Sequence, residues 1–212
     1  MVARTVAGTH IEADLRKQGF LRVAGIDEVG RGPLAGPVVA CGVVLPEDCV
    51  LPGVADSKLL SDAQRRRLFP EILKCALAWG VGRVDTPEID RVNILQATFA
   101  AMRLALANIE CDAVIVDGGH TIPGLTLYQE ARPGADGQSL SVAAASIVAK
   151  VTRDDMMQDF DRTYPGYGFA LHKGYATPAH FEALDRLGPC PIHRLSFLGR
   201  WRERQRQSAL AL

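Results

Sequence analysis

NILQATFAAMRLALAN (93–108), followed by AVIVD (113–117), reads as a helix feeding a strand. Leu95, Phe99, Met102, Leu106 and Ile109 alternate steps of four and three, which places them on one apolar stripe of a helix over about Asn93–Asn108. Ala113–Val116 is a short, mostly β-branched run closed by an acid, Asp117, as a buried strand ending at a sheet edge would be. A second short run, Thr126–Ala131, and a small-residue helix from about Ser141 follow. Helix, strand, acid, strand, helix is an α/β order.

Working outward, Leu21–Asp27 (LRVAGID) and Val38–Leu45 flank a glycine-rich turn and predict a hairpin-like pair of strands. Ser61-Asp62-Ala63-Gln64 has the form of a capping box, so a helix should run from there toward Trp79, kinked or split at Pro70. Gly80–Asp85 predicts a further strand, and Thr86-Pro87-Glu88 an N-cap with proline at the first helical position. A last helix is expected from Thr177-Pro178 to Gly188, with cap, proline and terminal glycine in place. No internal repeat or linker interrupts residues 1–212, which predicts one domain with an N-terminal extension (1–20) and a helical, basic C-terminal portion from about 176.

The composition suits a globular chain: 212 residues, 48% of them apolar, with 24 Lys+Arg balanced by 24 Asp+Glu. Val38–Leu45 and Val142–Ala149 are far shorter than the ~20 residues that cross a bilayer. His10, Glu12, Asp14, Arg16 and Lys17 interrupt any signal-peptide core, so no membrane partner and a cytoplasmic location are expected. The five cysteines are odd in number, scattered and without a C-x-x-C pair, which predicts buried free thiols. Zero net charge means that a nucleic-acid partner would be held by local patches. Arg194, Arg200, Arg202, Arg204 and Arg206 form one candidate patch, or else a solvated helix face.

Asp27-Glu28, Asp117 and Asp136 stand after strands or in tight turns, where sheet ends open onto a crevice. Carboxylates gathered there without His or Cys suit a hard divalent cation shared with a phosphate; singly they are also ordinary turn and cap residues. Neighbours on a regular strand point to opposite faces, so Asp27 and Glu28 reach one site only if the chain bends at Glu28, which Gly30 and Gly32 would permit. The turn Gly30–Gly36 is not a dinucleotide fingerprint: its third glycine is one residue late and a strand follows. Walker-A, H-E-x-x-H and G-x-S-x-G patterns are all missing, which excludes P-loop, zincin and serine-hydrolase chemistry of the usual kinds.

GIDEVGRGP (25–33), Asp56-Ser57-Lys58, Asn93-Ile94-Leu95, Val116-Asp117-Gly118, AASIVAKVTRD (144–154) and Tyr167-Gly168-Phe169 with His172-Lys173-Gly174-Tyr175 together resemble the type 2 ribonuclease H family, ribonuclease HII. The resemblance runs in order from about Val23 to Phe197. It implies a ribonuclease H-like mixed sheet flanked by helices and a metal-dependent endonuclease. The substrates implied are RNA–DNA hybrids and single ribonucleotides embedded in DNA, with 5′-phosphate and 3′-hydroxyl products. By that resemblance Asp27, Glu28 and Asp117 are metal-binding carboxylates and Asp136 is the fourth catalytic acid. Two Mn²⁺ or Mg²⁺ ions would then activate a water and stabilise the departing 3′-oxygen. Gly30, Arg31 and Gly32 would sense the 2′-hydroxyl and Tyr175 would pack on a neighbouring sugar. Ser146, Lys58, Lys150, Lys173 and Arg194 would contact the substrate, the four basic residues through its phosphates. The family's lysine two residues before the fourth acid is replaced by Gly134; Arg132 is the nearby cation, and whether it stands in for the lysine is left open by the sequence. The active species is expected to be a monomer.

On the residues alone, other readings stand beside this one. Another metal-dependent nuclease on the same fold would use similar acids, and a non-catalytic nucleic-acid-binding domain would use the arginine tail. Tyr175 and Ser146 also suit packing roles, and His120, His172 and His193 suit surface or capping positions.

Overall fold

The computed structural model describes residues 7–55 and 57–210; within its last helix the side chains of Arg204, Gln205 and 208–210 are not described. Residues 1–6 of the expected N-terminal extension, Asp56 of the Asp-Ser-Lys motif and the Arg204 side chain of the basic stretch therefore lie outside the described residues.

Five strands form one mixed sheet in the order β3-β2-β1-β4-β5, made by β1 (Val23–Val29), β2 (Val38–Val44), β3 (Ala78–Val84), β4 (Ala113–Asp117) and β5 (Tyr128–Arg132). The expected hairpin is present, β1 pairing antiparallel with β2 and β2 with β3. On its other side β1 runs parallel to β4, with Ile26 opposite Val116, and β4 runs parallel to β5.

Alternation along β1 sorts its side chains between two layers. Ala24 and Ile26 pack with Val38, Ala40, Val44, Val114 and Val116 against α4 (Ile94–Leu106). On that helix Phe99, Met102 and Leu106 of the predicted stripe are buried, with Ile109 just beyond it, while Leu95 is partly covered. The opposite face carries α5 (Leu140–Thr163) and α2 (Asp62–Cys75), whose Ala143–Ala145, Ile147, Val148, Leu68 and Ile72 form the second core with Cys41 and Val43. The small residues of α5 let it approach closely: a Cβ on Gly25 would lie 2.3 Å from the Ser141 backbone. The short helix α1 (His10–Lys17) closes this layer through Ile11 and Leu15.

The local signals worked where the chain caps itself. Ser61 and Gln64 form the reciprocal capping box of α2, Asn93 caps α4, and Thr177 caps α7 (Pro178–Leu187), which ends at Gly188. The short helix α3 (Thr86–Val92) starts one residue earlier than expected: Asp85 is its N-cap, without a side-chain hydrogen bond, and Thr86 is already helical, which puts Pro87 at the second position. Between α5 and α7 the chain makes one further turn of helix, α6 (Phe169–His172).

Three expectations change. Pro70 does not split α2, which runs unbroken to Cys75 and stops before Trp79, itself part of β3. The helix ending at Leu187 is not the last, because α8 (Gly199–Leu210) follows. Cys49 and Cys75 are joined in a disulfide, leaving Cys41, Cys111 and Cys190 free. Their separation of 26 residues hides a spatial neighbourhood: the chain after α2 returns to the end of β2, where the Leu77 N–H donates to the Val44 carbonyl.

Candidate active site

β1 and β4 end side by side, and the register that pairs Ile26 with Val116 brings Asp27 and Asp117 next to one another on the α5 face. Asp136 arrives from a 3₁₀ turn, Ala135–Gly137, just before α5. The Ala135 N–H donates to Asp117 Oδ1 at 2.8 Å and so fixes that turn to the strand end. Carboxylate oxygens of Asp27, Asp117 and Asp136 lie within 4.8 Å of one another, the one such acidic or metal-ligating group among the described residues.

Asp27 and Asp136 are both buried. Burial, and next the charge of Glu28, push the Asp27 carboxyl well above the usual carboxylate range; Ser146 opposes this with a hydrogen bond. Three oxygen donors crowded in a low-dielectric pocket, one of them holding a raised pKa, fit a divalent hard cation, which relieves their mutual repulsion.

Glu28 does not join the three aspartates. The expected bend is absent: β1 continues through Glu28, opposite Ala40, to Val29, and the turn begins only at Gly30. Alternation therefore sends Glu28 to the α4 face. There it pairs with Arg31 at 3.1 Å and lines a small pocket with Asp117, Thr98 and His120. Burial raises its pKa, with the hydrogen bond from Arg31 as the main opposing influence.

Asp136 receives its cation from a distant part of the chain. Lys58 Nζ lies 3.3 Å from Asp136 Oδ2 although 78 residues separate them. Arg132, the cation near the missing lysine in sequence, pairs among the described residues with Glu130, its neighbour on the same edge strand and same strand face, and not with Asp136. Lys58 is 76% exposed in its side chain, so it remains open to solvent beside the carboxylates.

Ser146 and Arg194, expected as substrate contacts, are both buried away from the surface. Ser146 is buried beneath Asp27 and shares a 2.7 Å hydrogen bond with Ser57, so it supports the acid from below. Arg194 is fully buried, and its guanidinium donates to the carbonyls of Gly30, Arg31 and Gly36. Burial, and next the charge of Arg153, lower its pKa to about 9, which leaves it charged at neutral pH. Lys150 is held by Asp154 at 2.7 Å, one turn along α5. Lys173 adopts a left-handed backbone, φ 53°, between α6 and Gly174, and burial lowers its pKa.

The turn Gly30–Gly36 lies at the end of β1, beside the acids. Gly30 has φ 92°, and a Cβ there would meet Arg153 Nε at 2.2 Å, so glycine is required both by the backbone and by the space. Gly32 has open space around it. Tyr175 is 40% exposed, with its ring 6.0 Å from the Arg153 guanidinium.

Arg153 is the residue that pattern reading passed over. It sits in the quoted AASIVAKVTRD block, where only Ser146 and Lys150 are given a role. Its place seven positions after Ser146, on the same face of the small-residue helix, was the available signal. The histidines were also undervalued: His180 and His193 are buried and joined Nε2 to Nε2 at 3.0 Å, and His172 stacks on His180.

The model of the family described as Ribonuclease HII matches residues 24–199. A ribonuclease HII of Syntrophobacter fumaroxidans is 56% identical over 192 residues, covering 90% of this chain and 82% of its own. Among solved structures, the ribonuclease H2 of Pyrococcus horikoshii is 29% identical with a TM-score of 0.71 over 87% of this chain and 99% of that one. The ribonuclease HII of Archaeoglobus fulgidus, solved in complex with PCNA, is also 29% identical, with a TM-score of 0.72 over 82% and 94% of the two chains.

Proposed function

The chain belongs to the ribonuclease HII family, a family of hydrolytic endonucleases, and from that membership we propose that it cuts the RNA strand of RNA–DNA hybrids and incises duplex DNA at single embedded ribonucleotides. The observation that carries this is the meeting of Asp27, Asp117 and Asp136 within 4.8 Å beside the Gly30–Gly36 turn. Those three aspartates would hold Mn²⁺ or Mg²⁺, with Glu28 reaching the scissile phosphate region from the other face of β1. When bound, divalent cations supply an activated water and charge stabilisation at the departing 3′-oxygen.

The chain's own residues do the rest. Ser146 and the Glu28 N–H, which donates to Asp27 Oδ1 at 2.7 Å, orient the Asp27 carboxylate. The Ala135 N–H orients Asp117, and Lys58 pairs with Asp136 while reaching flanking phosphate. Gly30-Arg31-Gly32 presents backbone donors to the 2′-oxygen, the one group that tells ribose from deoxyribose. Tyr175 offers its exposed ring to the adjacent sugar, and Lys173 lies two residues before it, placed for a phosphate. Because every proposed ligand comes from one chain, we take the active unit to be a monomer of a single domain, working in the cytoplasm.

A labelled DNA duplex with one ribonucleotide, an all-DNA control and a hybrid, each with Mg²⁺, Mn²⁺ or EDTA, tests the reading. Cleavage is expected only of the ribonucleotide-containing duplexes and only with a divalent cation. Equal cutting of the all-DNA control, or cutting in EDTA, overturns it.

A further inference from the structure

Two fully buried guanidiniums stand behind the Gly30–Gly36 turn. Arg194 donates from Nε and Nη2 to the Gly36 carbonyl, from Nη1 to Arg31 and from Nη2 to Gly30. Arg153 donates from Nε to Pro37, from Nη2 to Ala35 and from Nη1 to Lys173. Every acceptor is a main-chain carbonyl, and among the described residues neither guanidinium has an ion-pair partner. Burying such a charge without a carboxylate is costly, and apolar side chains of similar volume would fill the space at less cost. What apolar side chains do not supply is direction: five consecutive-turn carbonyls, those of Gly30, Arg31, Ala35, Gly36 and Pro37, are all drawn inward.

That direction has a consequence on the outer surface. In a trans peptide the C=O of one residue and the N–H of the next point opposite ways. With the carbonyls of Gly30 and Arg31 held inward, the N–H groups of Arg31 and Gly32 face outward, and neither donates a hydrogen bond among the described residues. Two other amides of the turn are already used: Leu34 N–H donates to Gly174 O and Gly36 N–H to Ile192 O, both at 2.8 Å.

We propose that Arg153 and Arg194 are positioning residues for ribose discrimination, which hold the turn so that the Arg31 and Gly32 amides form a preformed pair of donors for a sugar oxygen. This rests on the reading of the turn as the ribose sensor. The pair acts through the backbone and touches no substrate. Lysine keeps the charge but not the planar fork that fits several carbonyls at once, so Arg153→Lys and Arg194→Lys should loosen the turn without emptying the core.

The experiment measures kcat, KM and melting temperature for wild type, Arg153→Lys and Arg194→Lys on two duplexes that differ only by ribose or deoxyribose at one position, the deoxy arm at high enzyme. Expected for each variant is a kcat on the ribose duplex lower by about tenfold or more, since small misplacements at a reacting centre cost up to ~10²-fold. KM should change little, and the ribose-over-deoxyribose preference should shrink by a similar factor. Folded variants that discriminate as well as wild type overturn the proposal alone. A wild type that cuts both duplexes alike removes the reading of the turn, and the proposal with it. Amide exchange by NMR on the wild-type protein decides the matter even if the variants do not fold. Slow exchange at Leu34 and Gly36 with fast exchange at Arg31 and Gly32 is expected, and fast exchange throughout the turn overturns the proposal.

Discussion

Asp27 holds its proton more tightly in the folded chain than in the unfolded one, because burial and the charge of Glu28 raise its pKa. The folded state then binds more protons than the unfolded state above the ordinary carboxylate range, so metal-free stability falls as pH rises through that window. A divalent cation replaces the proton. The melting temperature should therefore rise on adding Mn²⁺ or Mg²⁺, and rise more at about pH 8 than at about pH 5. Asp27→Asn should abolish that cation-dependent increment. Asp117→Asn should lower the cleavage rate by at least about tenfold while the protein stays folded; retention of more activity in saturating cation speaks against Asp117 as a ligand. For Asp136 the partner decides: Lys58→Ala should reduce activity, whereas Arg132→Ala should leave it near wild type, because Lys58 and not Arg132 meets the carboxylate. The four acids were legible from their places after strands and in turns. Which of them converge was not, since Glu28 is turned away by strand alternation and the cation of Asp136 comes from 78 residues upstream.

At the level of elements, the sequence revealed what each segment declares locally. The capping box at Ser61, the Asn93 and Thr177 caps and the glycine stop at Gly188 all lie where side chain and backbone meet within a few residues. Strand order, the disulfide between Cys49 and Cys75, and the burial of Arg194 depend on pairings far apart in the chain, which local patterns do not encode. The segment from α6 to α7 offers a direct test. Tyr175 N–H donates to His172 O and its carbonyl accepts from His180 Nδ1, so its backbone is fixed while the ring stays exposed. Tyr175→Ala should impair cleavage at a single ribonucleotide far more than Tyr175→Phe, because an aromatic face against a nucleotide contributes on the order of 1–3 kcal/mol. Melting temperature should move little for either variant, and a rate loss equal for Phe and Ala would assign the role to the hydroxyl.

Across the whole molecule, the buried His180–His193 contact joins α7 to the strap that carries Arg194. His180 Nδ1 donates to Tyr175 O, so its Nε2 accepts from His193 Nε2–H, and His193 Nδ1 accepts from the Cys190 N–H. Burial holds both pKa values down, from 6.5 to about 4. The unfolded chain therefore takes up protons that the folded protein refuses. The stability due to the pair is complete above about pH 6.5 and is lost as pH falls toward about 4. Urea midpoints across that range should fall with acid, and His180→Gln should flatten the slope. The two halves of the proposed mechanism are themselves tied by α5, which carries Ser146 beneath Asp27 and Arg153 beneath the glycine turn. Seven residues of helix separate them, two turns or about 10 Å. On that proposal the helix is a calliper: it would set the gap between a jaw that grips the ribose and a jaw that severs the strand. An enzyme gauged in this way nicks every ribonucleotide at one offset, and a residue inserted into α5 between the two would swing one jaw about 100° from the other and spoil the gauge.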